Sequence, residues 1–285
     1  MTHSRSDITR LLREIDRRPR QSLGQNFVAD ANTVRRIVRL ADLPDHADVV
    51  EVGAGLGSLT IALAEAGHRV VALEVDNDLV PVLRRAVEPL GVTVVHADAM
   101  TVDWHDVLGD ASTPWHLVAN LPYNIATPLV CDLLDGVPSI VTMLVMVQRE
   151  VAERLVAPAG SAVYGAPSVK VAYWAQGRIV GHVPASVFVP PPKVESSLVR
   201  IVRRPAPAVD ADPAALFALV RAGFAHRRKM LRRALSGLVS AEQFEAAHVA
   251  PDTRAEQLTV EDWGRLVVAT AAPRDDRGND AREQA

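Results

Sequence analysis

The stretch Asn120-Leu121-Pro122-Tyr123 has the residue types that suggest chemistry most directly. It combines a side-chain amide, a backbone carbonyl before a proline, and an aromatic ring. The Asn120 side-chain carbonyl and the Leu121 backbone carbonyl could accept both N–H bonds of an exocyclic amine, because Pro122 restricts the turn that aims them. The Tyr123 ring offers a flat face on which a base could stack. The alternative is a plain structural turn between two elements.

These groups suit the transfer of a methyl group to the exocyclic amine of an adenine. That amine is a poor nucleophile because its lone pair is delocalised into the ring. Acceptors on its two N–H bonds would favour a tetrahedral nitrogen whose lone pair points at the methyl carbon. The methylated ammonium is already acidic, so positioning and electrostatics would carry the rate without a strong general base. The base would have to leave its stack to reach such a pocket.

The elements that must position this turn alternate between strands and helices. Apolar, β-branched runs predict five strands, at 49–52, 69–73, 92–95, 116–119 and 140–147, with helices at 58–66 and 78–87. Such alternation predicts parallel strands joined by right-handed crossovers. Two further runs, at 177–183 and 194–202, predict an antiparallel pair that completes the sheet. The fourth strand ends directly before Asn120, at the edge where open α/β sheets bind ligands.

Outside the sheet, the pattern predicts three further parts. The charged residues 1–20 predict an N-terminal segment that is flexible or helical, with Pro19 as a break, and a helix is expected from 32 to 41. Helical periodicity at 213–238, 241–247 and 259–271 predicts a small α-helical domain. The domains are therefore expected at 1–20, 21–204, 205–271 and, for a disordered polar tail, 272–285.

A glycine-rich turn and two carboxylates point to an adenosine-containing cofactor. Gly53-Ala54-Gly55-Leu56-Gly57 follows the first strand and opens a helix, where free N–H groups can meet a ligand. Glu74 ends the second strand, where a carboxylate can accept both hydroxyls of a ribose. This pattern alone fits both NAD and S-adenosylmethionine. The missing third glycine of G-x-G-x-x-G, and an Asp98 that could accept the adenine amine, favour S-adenosylmethionine.

Composition excludes several classes of protein. At 285 residues and 48% hydrophobic, the chain can form one large and one small domain. We find no apolar run of transmembrane length and no secretory signal. Cys131 is the only cysteine, so a disulfide framework and a cysteine-based zinc site are excluded and no metal is expected. A cytoplasmic protein without membrane association is the simplest interpretation.

Charge distribution says more than net charge. The formal net charge is −3, but residues 221–233 carry six lysines and arginines and no acidic residue. Such a local patch can attract a phosphate backbone. A solvated basic helix face is the alternative.

Beyond these physical arguments, the sequence resembles the ribosomal RNA adenine N6-dimethyltransferases, most closely the bacterial ones acting on small-subunit RNA. Nine blocks in order carry the resemblance: SLGQNFV (22–28), VVEVGAGLGSLT (49–60), LEVD (73–76), ADAM (97–100), NLPYNIATPL (120–129), VQREVAERL (147–155), VFVPPPKVESSLVR (187–200), FAHRRKML (224–231) and RAEQL (254–258). The resemblance implies a Rossmann-like class I methyltransferase domain with a seven-stranded, mostly parallel sheet and a small C-terminal α-helical domain.

It also implies roles for individual residues. The S-adenosylmethionine site would be formed by Asn26, Val28, Gly53, Gly55, Glu74, Asp98 and Asn120, and the catalytic site by Asn120, Leu121, Pro122, Tyr123 and Phe188. Phe188 would stack on the target adenine opposite Tyr123. RNA contacts would come from Arg227, Arg228, Lys229 and Arg232. Where this chain has Val28, the family usually has leucine, a change expected to matter little because the contact is apolar or through the backbone.

The implied reaction is dimethylation of two adjacent adenosines in the 3′-terminal hairpin of 16S rRNA, in pre-30S particles, by a protein that is monomeric when free. Three alternatives remain open at this point. They are a 23S rRNA adenine methyltransferase of the antibiotic-resistance type, a ribosome assembly factor with little catalysis, and a nicotinamide-dependent oxidoreductase. The glycine spacing does not support an oxidoreductase, and the Asn120 turn would have no role in hydride transfer.

Overall fold

The computed structural model describes residues 2–20, 23–109 and 112–271. Its nine strands are β1 (Phe27–Val28), β2 (Asp48–Val52), β3 (Arg69–Glu74), β4 (Thr93–His96), β5 (Trp115–Asn120), β6 (Ile140–Gln148), β7 (Ala175–Val183), β8 (Phe188–Val189) and β9 (Ser196–Arg203). Its α-helices are α1 (Arg5–Glu14), α2 (Ala31–Ala41), α3 (Ser58–Glu65), α4 (Val80–Val87), α5 (Trp104–Leu108), α6 (Ala126–Gly136), α7 (Arg149–Leu155), α8 (Ala166–Trp174), α9 (Pro213–Ala225), α10 (Leu231–Ala234), α11 (Ala241–Ala246) and α12 (Val260–Ala271). None of these helices is long and apolar enough to cross a bilayer.

Seven strands form one sheet in the order β4-β3-β2-β5-β6-β9-β7. Five of them, β2 to β6, are parallel, and β9 runs antiparallel to both β6 and β7. The mostly parallel, seven-stranded sheet and its antiparallel completion are therefore confirmed. Apolar residues occupy the central strands because both faces of a parallel sheet are covered. Leu117, Val118 and Val145, for example, are fully buried.

The N-terminal segment contains a helix, which is one of the two conformations that the sequence predicted. Ser4 and Asp7 form a capping box at the start of α1, and Ile8, Leu11 and Leu12 are buried. These three side chains pack with others from β1, the glycine-rich turn and α4 in a separate apolar cluster. Of the two conformations expected for residues 1–20, the helical one is found, because the buried apolar stripe offsets the entropy of ordering the helix.

The chain divides into two compact units, with different bounds from those predicted. The first comprises Met1–Val156 and Trp174–Ala206, and the second Ala157–Tyr173 and Pro207–Ala285. Residues 157–173, expected in the first domain, thus belong to the second. Within that unit the Tyr173 hydroxyl donates to the Ala211 carbonyl and its ring packs edge-on against Phe217, contacts that no local pattern indicates. The tail at 272–285 lies outside the described residues.

The long helix predicted at 213–238 is interrupted. Helix α9 ends at Ala225, and α10 begins only at Leu231. Met230 between them is extended (φ −64°, ψ 149°) and forms an isolated β-bridge with Arg254. A residue in that conformation cannot continue a helix. Arg227, Arg228 and Lys229 therefore lie between the two helices, so the basic residues of 221–233 do not share one amphipathic helix face.

Candidate functional site

The carboxyl ends of β2 and β5 bring the glycine-rich turn and the Asn120 turn together. In the sheet, β2 lies between β3 and β5, so the strand order reverses at this point. Ligands of open α/β sheets bind at such a reversal. A cavity is present here, and its walls come from four segments, at 23–28, 51–59, 74–75 and 120–122. Among its lining residues are Asn26, Val28, Gly53, Gly55, Glu74, Asn120 and Pro122.

Three of these segments meet at Pro122. A Cβ atom on Gly24 would lie 3.2 Å from Pro122 Cβ, and one on Gly53 would lie 3.3 Å from Pro122 Cδ. Both glycines have positive φ, 64° and 72°, which residues with side chains adopt at a cost. The proline ring therefore lies between two backbone segments that approach it closely. The Asn120 turn is held in place by this packing as well as by its own restricted φ.

Hydrogen bonds orient the Asn120 amide. Its Nδ2 donates to the Asn26 carbonyl at 2.9 Å, and Asn26 Nδ2 in turn donates to the Gly24 carbonyl at 3.1 Å. With the NH₂ group used in this way, Asn120 Oδ1 remains as an acceptor. Within the described part of the chain, neither this oxygen nor the Leu121 carbonyl receives a hydrogen bond. The protein therefore leaves both acceptors unused; Asn120 lines the cavity, whereas Leu121 is 1% exposed and is not among the lining residues.

Tyr123 is anchored at its far end. Its side chain is half-buried, and its hydroxyl lies 2.8 Å from Ser196 Oγ at the start of β9. Burial raises the pKa of Tyr123, and the Ser196 hydrogen bond opposes that rise. The phenol is therefore neutral at physiological pH, and its ring orientation is fixed from two ends.

Phe188 is buried in this structure. It pairs with Val28 across the two-stranded sheet of β1 and β8. Its side chain is 0% exposed and belongs to the main apolar core. The expected position of its ring opposite Tyr123 is not seen in this conformation, and its stacking on a target adenine stays a prediction. The sequence could not show this, because an aromatic residue before three prolines is equally consistent with a loop surface and a core.

The Glu74 carboxylate accepts more hydrogen bonds from the protein than the sequence suggested. Its Oε2 accepts the Gly55 N–H at 2.7 Å, and its Oε1 accepts the N–H groups of Val75 and Asp76 at 3.0 and 2.9 Å. A carboxylate has about four acceptor sites, so one remains for a ligand hydroxyl. Burial raises the pKa of Glu74, and the three N–H donors oppose the rise. The carboxylate thus holds the glycine-rich turn and can accept one ribose hydroxyl directly, where two were expected.

Asp98 is the one expected cofactor residue outside the cavity wall. It is exposed just after β4, and its Oδ1 accepts the Met100 N–H at 2.9 Å. That contact is the local turn that short acidic side chains commonly form. In this structure Asp98 stabilises a turn through Oδ1, and its remaining acceptor sites face solvent and not the cavity wall.

Sequence reasoning missed Glu51. This carboxyl group lines the cavity from the end of β2, is 2% exposed and accepts a hydrogen bond from Thr60 Oγ1 at 2.6 Å. Burial raises its pKa from 4.5 to about 8. The available signal was an acidic residue inside the apolar run VVEV, where a charge is costly unless it serves a site.

Glu51→Gln is expected to change how stability depends on pH. In the wild type the folded state keeps the Glu51 proton up to about pH 8, whereas the unfolded chain loses it above about 4.5. Stability should therefore fall as pH rises through this window, by up to about 1.4 kcal/mol per pH unit from this group. Glutamine does not titrate, so the variant should gain stability relative to wild type between pH 5 and about pH 8. Denaturant unfolding across that range measures the difference. Parallel curves for both proteins would contradict the assigned protonation.

The expected RNA-contacting residues lie in the second unit. The Arg227 guanidinium is already bound within the protein, because it donates to Glu256 at 2.9 Å and to the Ala162 carbonyl. Arg228, Lys229 and Arg232 are exposed, and no ion pair is found for them in the described ranges. The three are therefore available to a polyanion: Arg228 and Lys229 from the turn that Arg227 helps to hold, and Arg232 from α10.

The fold and the site together define a Rossmann-like class I methyltransferase. The sequence matches the family described as ribosomal RNA adenine dimethylase over residues 17–271. The chain therefore belongs to the ribosomal RNA adenine dimethylase family. It is an enzyme, and its methyl donor is of the S-adenosylmethionine type; the oxidoreductase alternative is excluded.

Individual relatives agree with this placement. The chain is 50% identical to "Ribosomal RNA small subunit methyltransferase A" of Kineococcus radiotolerans, over 92% of this chain and 90% of that protein. It is 49% identical to the protein of that name from Streptomyces griseus, over 92% of each. Among solved structures, the 23S rRNA methyltransferase ErmE has a TM-score of 0.65 at 25% identity, covering 87% of this chain and 100% of that one. A Plasmodium falciparum dimethyladenosine transferase has a TM-score of 0.71 at 21% identity, over 84% and 95%, and supports the fold.

The cavity residues fit a methyl donor that contains adenosine. Gly55 has a φ of 59°, and a Cβ there would lie 3.0 Å from Phe27 Cε1. Because Gly55 has no side chain, the glycine-rich turn can pack against the Phe27 ring at the cavity wall. The free acceptor site on Glu74 suits a ribose hydroxyl, and the buried Glu51 carboxyl lies at the same wall. None of these groups requires a phosphate partner.

Proposed function

We propose that this protein transfers methyl groups from S-adenosylmethionine to N6 of two adjacent adenosines in the 3′-terminal hairpin of 16S rRNA. Its substrate would be the RNA within pre-30S particles, and the free protein would be a monomer. Such a substrate locates the reaction in the cytoplasm. The observation that carries the proposal is the meeting of Asn120 and the glycine-rich turn at one cavity, in a chain similar to small-subunit methyltransferases.

The residues would act by binding and orientation. S-adenosylmethionine, when bound, supplies an electrophilic methyl carbon. Glu74 and the Gly53–Gly55 turn would hold its adenosine portion. Asn120 Oδ1 and the Leu121 carbonyl would each accept one N–H of the target amine, so that the nitrogen lone pair is directed outward. Tyr123 would support the base by stacking, an interaction worth roughly 1–3 kcal/mol.

For dimethylation, the same two acceptors would have to bind both the free amine and the monomethylated amine. The free amine has two N–H bonds, and the monomethylated amine has one. The second transfer therefore needs only one of the two carbonyls as acceptor, while the first methyl group takes the other position. The proton leaves from an acidic ammonium after each transfer, which is consistent with a site built around amide and carbonyl groups.

Unmethylated, partly assembled 30S particles provide the direct test. Purified protein is incubated with them and S-adenosylmethionine, and the RNA is examined by mass spectrometry. We expect N6,N6-dimethyladenosine at two adjacent positions near the 3′ end. Unmethylated 50S particles in parallel test the 23S alternative. Absence of dimethyladenosine beside an active control enzyme would contradict the proposal, and binding without methylation would favour an assembly role.

Charge reversal at the exposed basic turn should weaken RNA binding. The double variant Arg228→Glu/Lys229→Glu is expected to bind the particles at least about tenfold more weakly, and to reduce the salt slope of binding by about two. Filter binding at several potassium concentrations measures both quantities. The matched control is Arg35→Glu/Arg39→Glu, which reverses two exposed charges on α2. Equal losses in the two double variants would show a non-specific effect of net charge.

A further inference from the structure

Tyr123 contacts one side chain through its hydroxyl, and that side chain lies far away in sequence. Ser196 Oγ is 2.8 Å from Tyr123 Oη, across 73 residues of sequence. Ser196 is 0% exposed at the first position of β9. It lies opposite Gln148 of β6 on one side and Val183 of β7 on the other. The serine is therefore fixed on both sides by ladder pairing.

The hydrogen bond to Ser196 restricts the whole Tyr123 ring and not only its hydroxyl group. A tyrosine held by its backbone alone can rotate about its two side-chain torsions. A hydrogen bond at the far end of the ring removes most of that freedom, provided that its partner is rigid. A serine in the middle strand of an antiparallel trio has a single side-chain torsion and no room to move.

We propose that Ser196 is a positioning residue for methyl transfer, which holds the Tyr123 ring in the plane that the target base needs. The proposal rests on the function proposed above, in which Tyr123 supports the base. Ser196 is fully buried and does not line the cavity, so it would act through Tyr123 and not by touching substrate or cofactor. Its hydroxyl either donates to or accepts from the phenol, and both arrangements fix the same ring orientation.

The neighbouring residue supplies a matched control. Ser197 is also 0% exposed, and its Oγ forms one side-chain hydrogen bond, to His182 Nδ1 at 2.9 Å. Successive residues of a strand point to opposite faces of the sheet. Ser197→Ala therefore removes an equally buried hydroxyl and one hydrogen bond on the face away from Tyr123. A merely structural role for Ser196 would give both alanine variants the same phenotype.

The first measurement compares turnover on the particle substrate, cofactor affinity and thermal stability in three variants. Ser196→Ala and Tyr123→Phe are each expected to lower kcat by about tenfold, the effect of one hydrogen bond that orients a reacting group. Ser197→Ala should stay within about twofold of wild type while losing similar thermal stability. Cofactor affinity should be unchanged in all three. Equal kcat values in Ser196→Ala and Ser197→Ala would overturn the proposal.

A double-mutant cycle separates action through Tyr123 from any other route. In the Tyr123→Phe background, Ser196→Ala should cause no further loss of kcat, because the contact is already absent. Additive losses would overturn the proposal. A readout independent of activity is the ultraviolet titration of the phenol, taken as the difference from Tyr123→Phe. Ser196→Ala should raise the pKa of Tyr123, since burial would then act unopposed.

These outcomes distinguish the two proposals. If the wild type forms no dimethyladenosine, the proposed function fails, and the positioning role fails with it. If the wild type is active and Ser196→Ala behaves as Ser197→Ala does, only the positioning role fails. An active wild type, a selective loss of kcat in Ser196→Ala and a non-additive cycle would together support it.

Discussion

Asn120→Ala is expected to lower kcat by about 100-fold or more while changing the cofactor dissociation constant by less than about fivefold. The reason is that Asn120 Oδ1 is free within the described structure, whereas its NH₂ group is used by the Asn26 carbonyl. An acceptor for the target N–H would thus be lost at the reacting nitrogen. Single-turnover methylation and calorimetry with the cofactor measure the two quantities separately.

Two further variants sharpen this result. Asn120→Asp retains an acceptor oxygen but places its second oxygen against the Asn26 carbonyl, so we expect it to be impaired as well. Asn124→Ala changes an exposed amide of the same turn that does not line the cavity, and should retain nearly full turnover. If Asn120→Ala kept normal kcat, or lost cofactor binding altogether, the role given to Asn120 would be wrong.

Glu74→Ala is expected to raise the cofactor dissociation constant by about 100-fold or more, and to cost about 2–4 kcal/mol of folding stability. Three backbone N–H groups, those of Gly55, Val75 and Asp76, lose their acceptor in a site where the side chain is only 5% exposed. The glycine-rich turn would relax away from the cavity wall. Calorimetry with the cofactor and denaturant unfolding report the two losses.

Glu74→Gln tests whether the carboxylate acts as an acceptor. One of its two positions becomes an NH₂ group, which must face either the Gly55 N–H or those of Val75 and Asp76. We expect an intermediate loss of affinity at nearly the same side-chain volume. Glu88→Gln is the control, because that carboxylate is exposed and its nearest cation, Arg84, is 3.7 Å away. Glutamine at 74 binding the cofactor as well as the wild type would show that the hydrogen bonds seen here are dispensable.

Moving Phe188 out of the core would cost free energy, and this cost affects how the site could bind a base. Phe188 is part of the main core and is covered by the pairing of β1 with β8. To reach a ligand it would have to leave an environment that stabilises a phenylalanine side chain by about 1.5–3 kcal/mol. Under the proposed function, support of the base in this conformation would come from Tyr123, whose hydroxyl is held by Ser196.

Much of the fold and part of the site follow from local patterns. Each predicted strand and helix of the main sheet is present, because apolar periodicity and glycine-rich turns act over a few residues. The Asn120 turn, the glycine-rich turn and Glu74 meet at one cavity, because parallel strands end at one edge. Local patterns were less informative about residues 1–20. The many charged residues there made the apolar stripe of Ile8, Leu11 and Leu12 hard to recognise.

The sequence by itself determined the family, the alternation of strands and helices, and the residue types at the strand ends. Tertiary structure alone decided how those groups are used. It assigned three acceptor sites of Glu74 to the backbone, buried Glu51 and Phe188, and left Asp98 in a local turn. It also joined Tyr123 to Ser196 across 73 residues. Hydrogen-bond partners and burial depend on contacts between segments remote in sequence, which no local pattern contains.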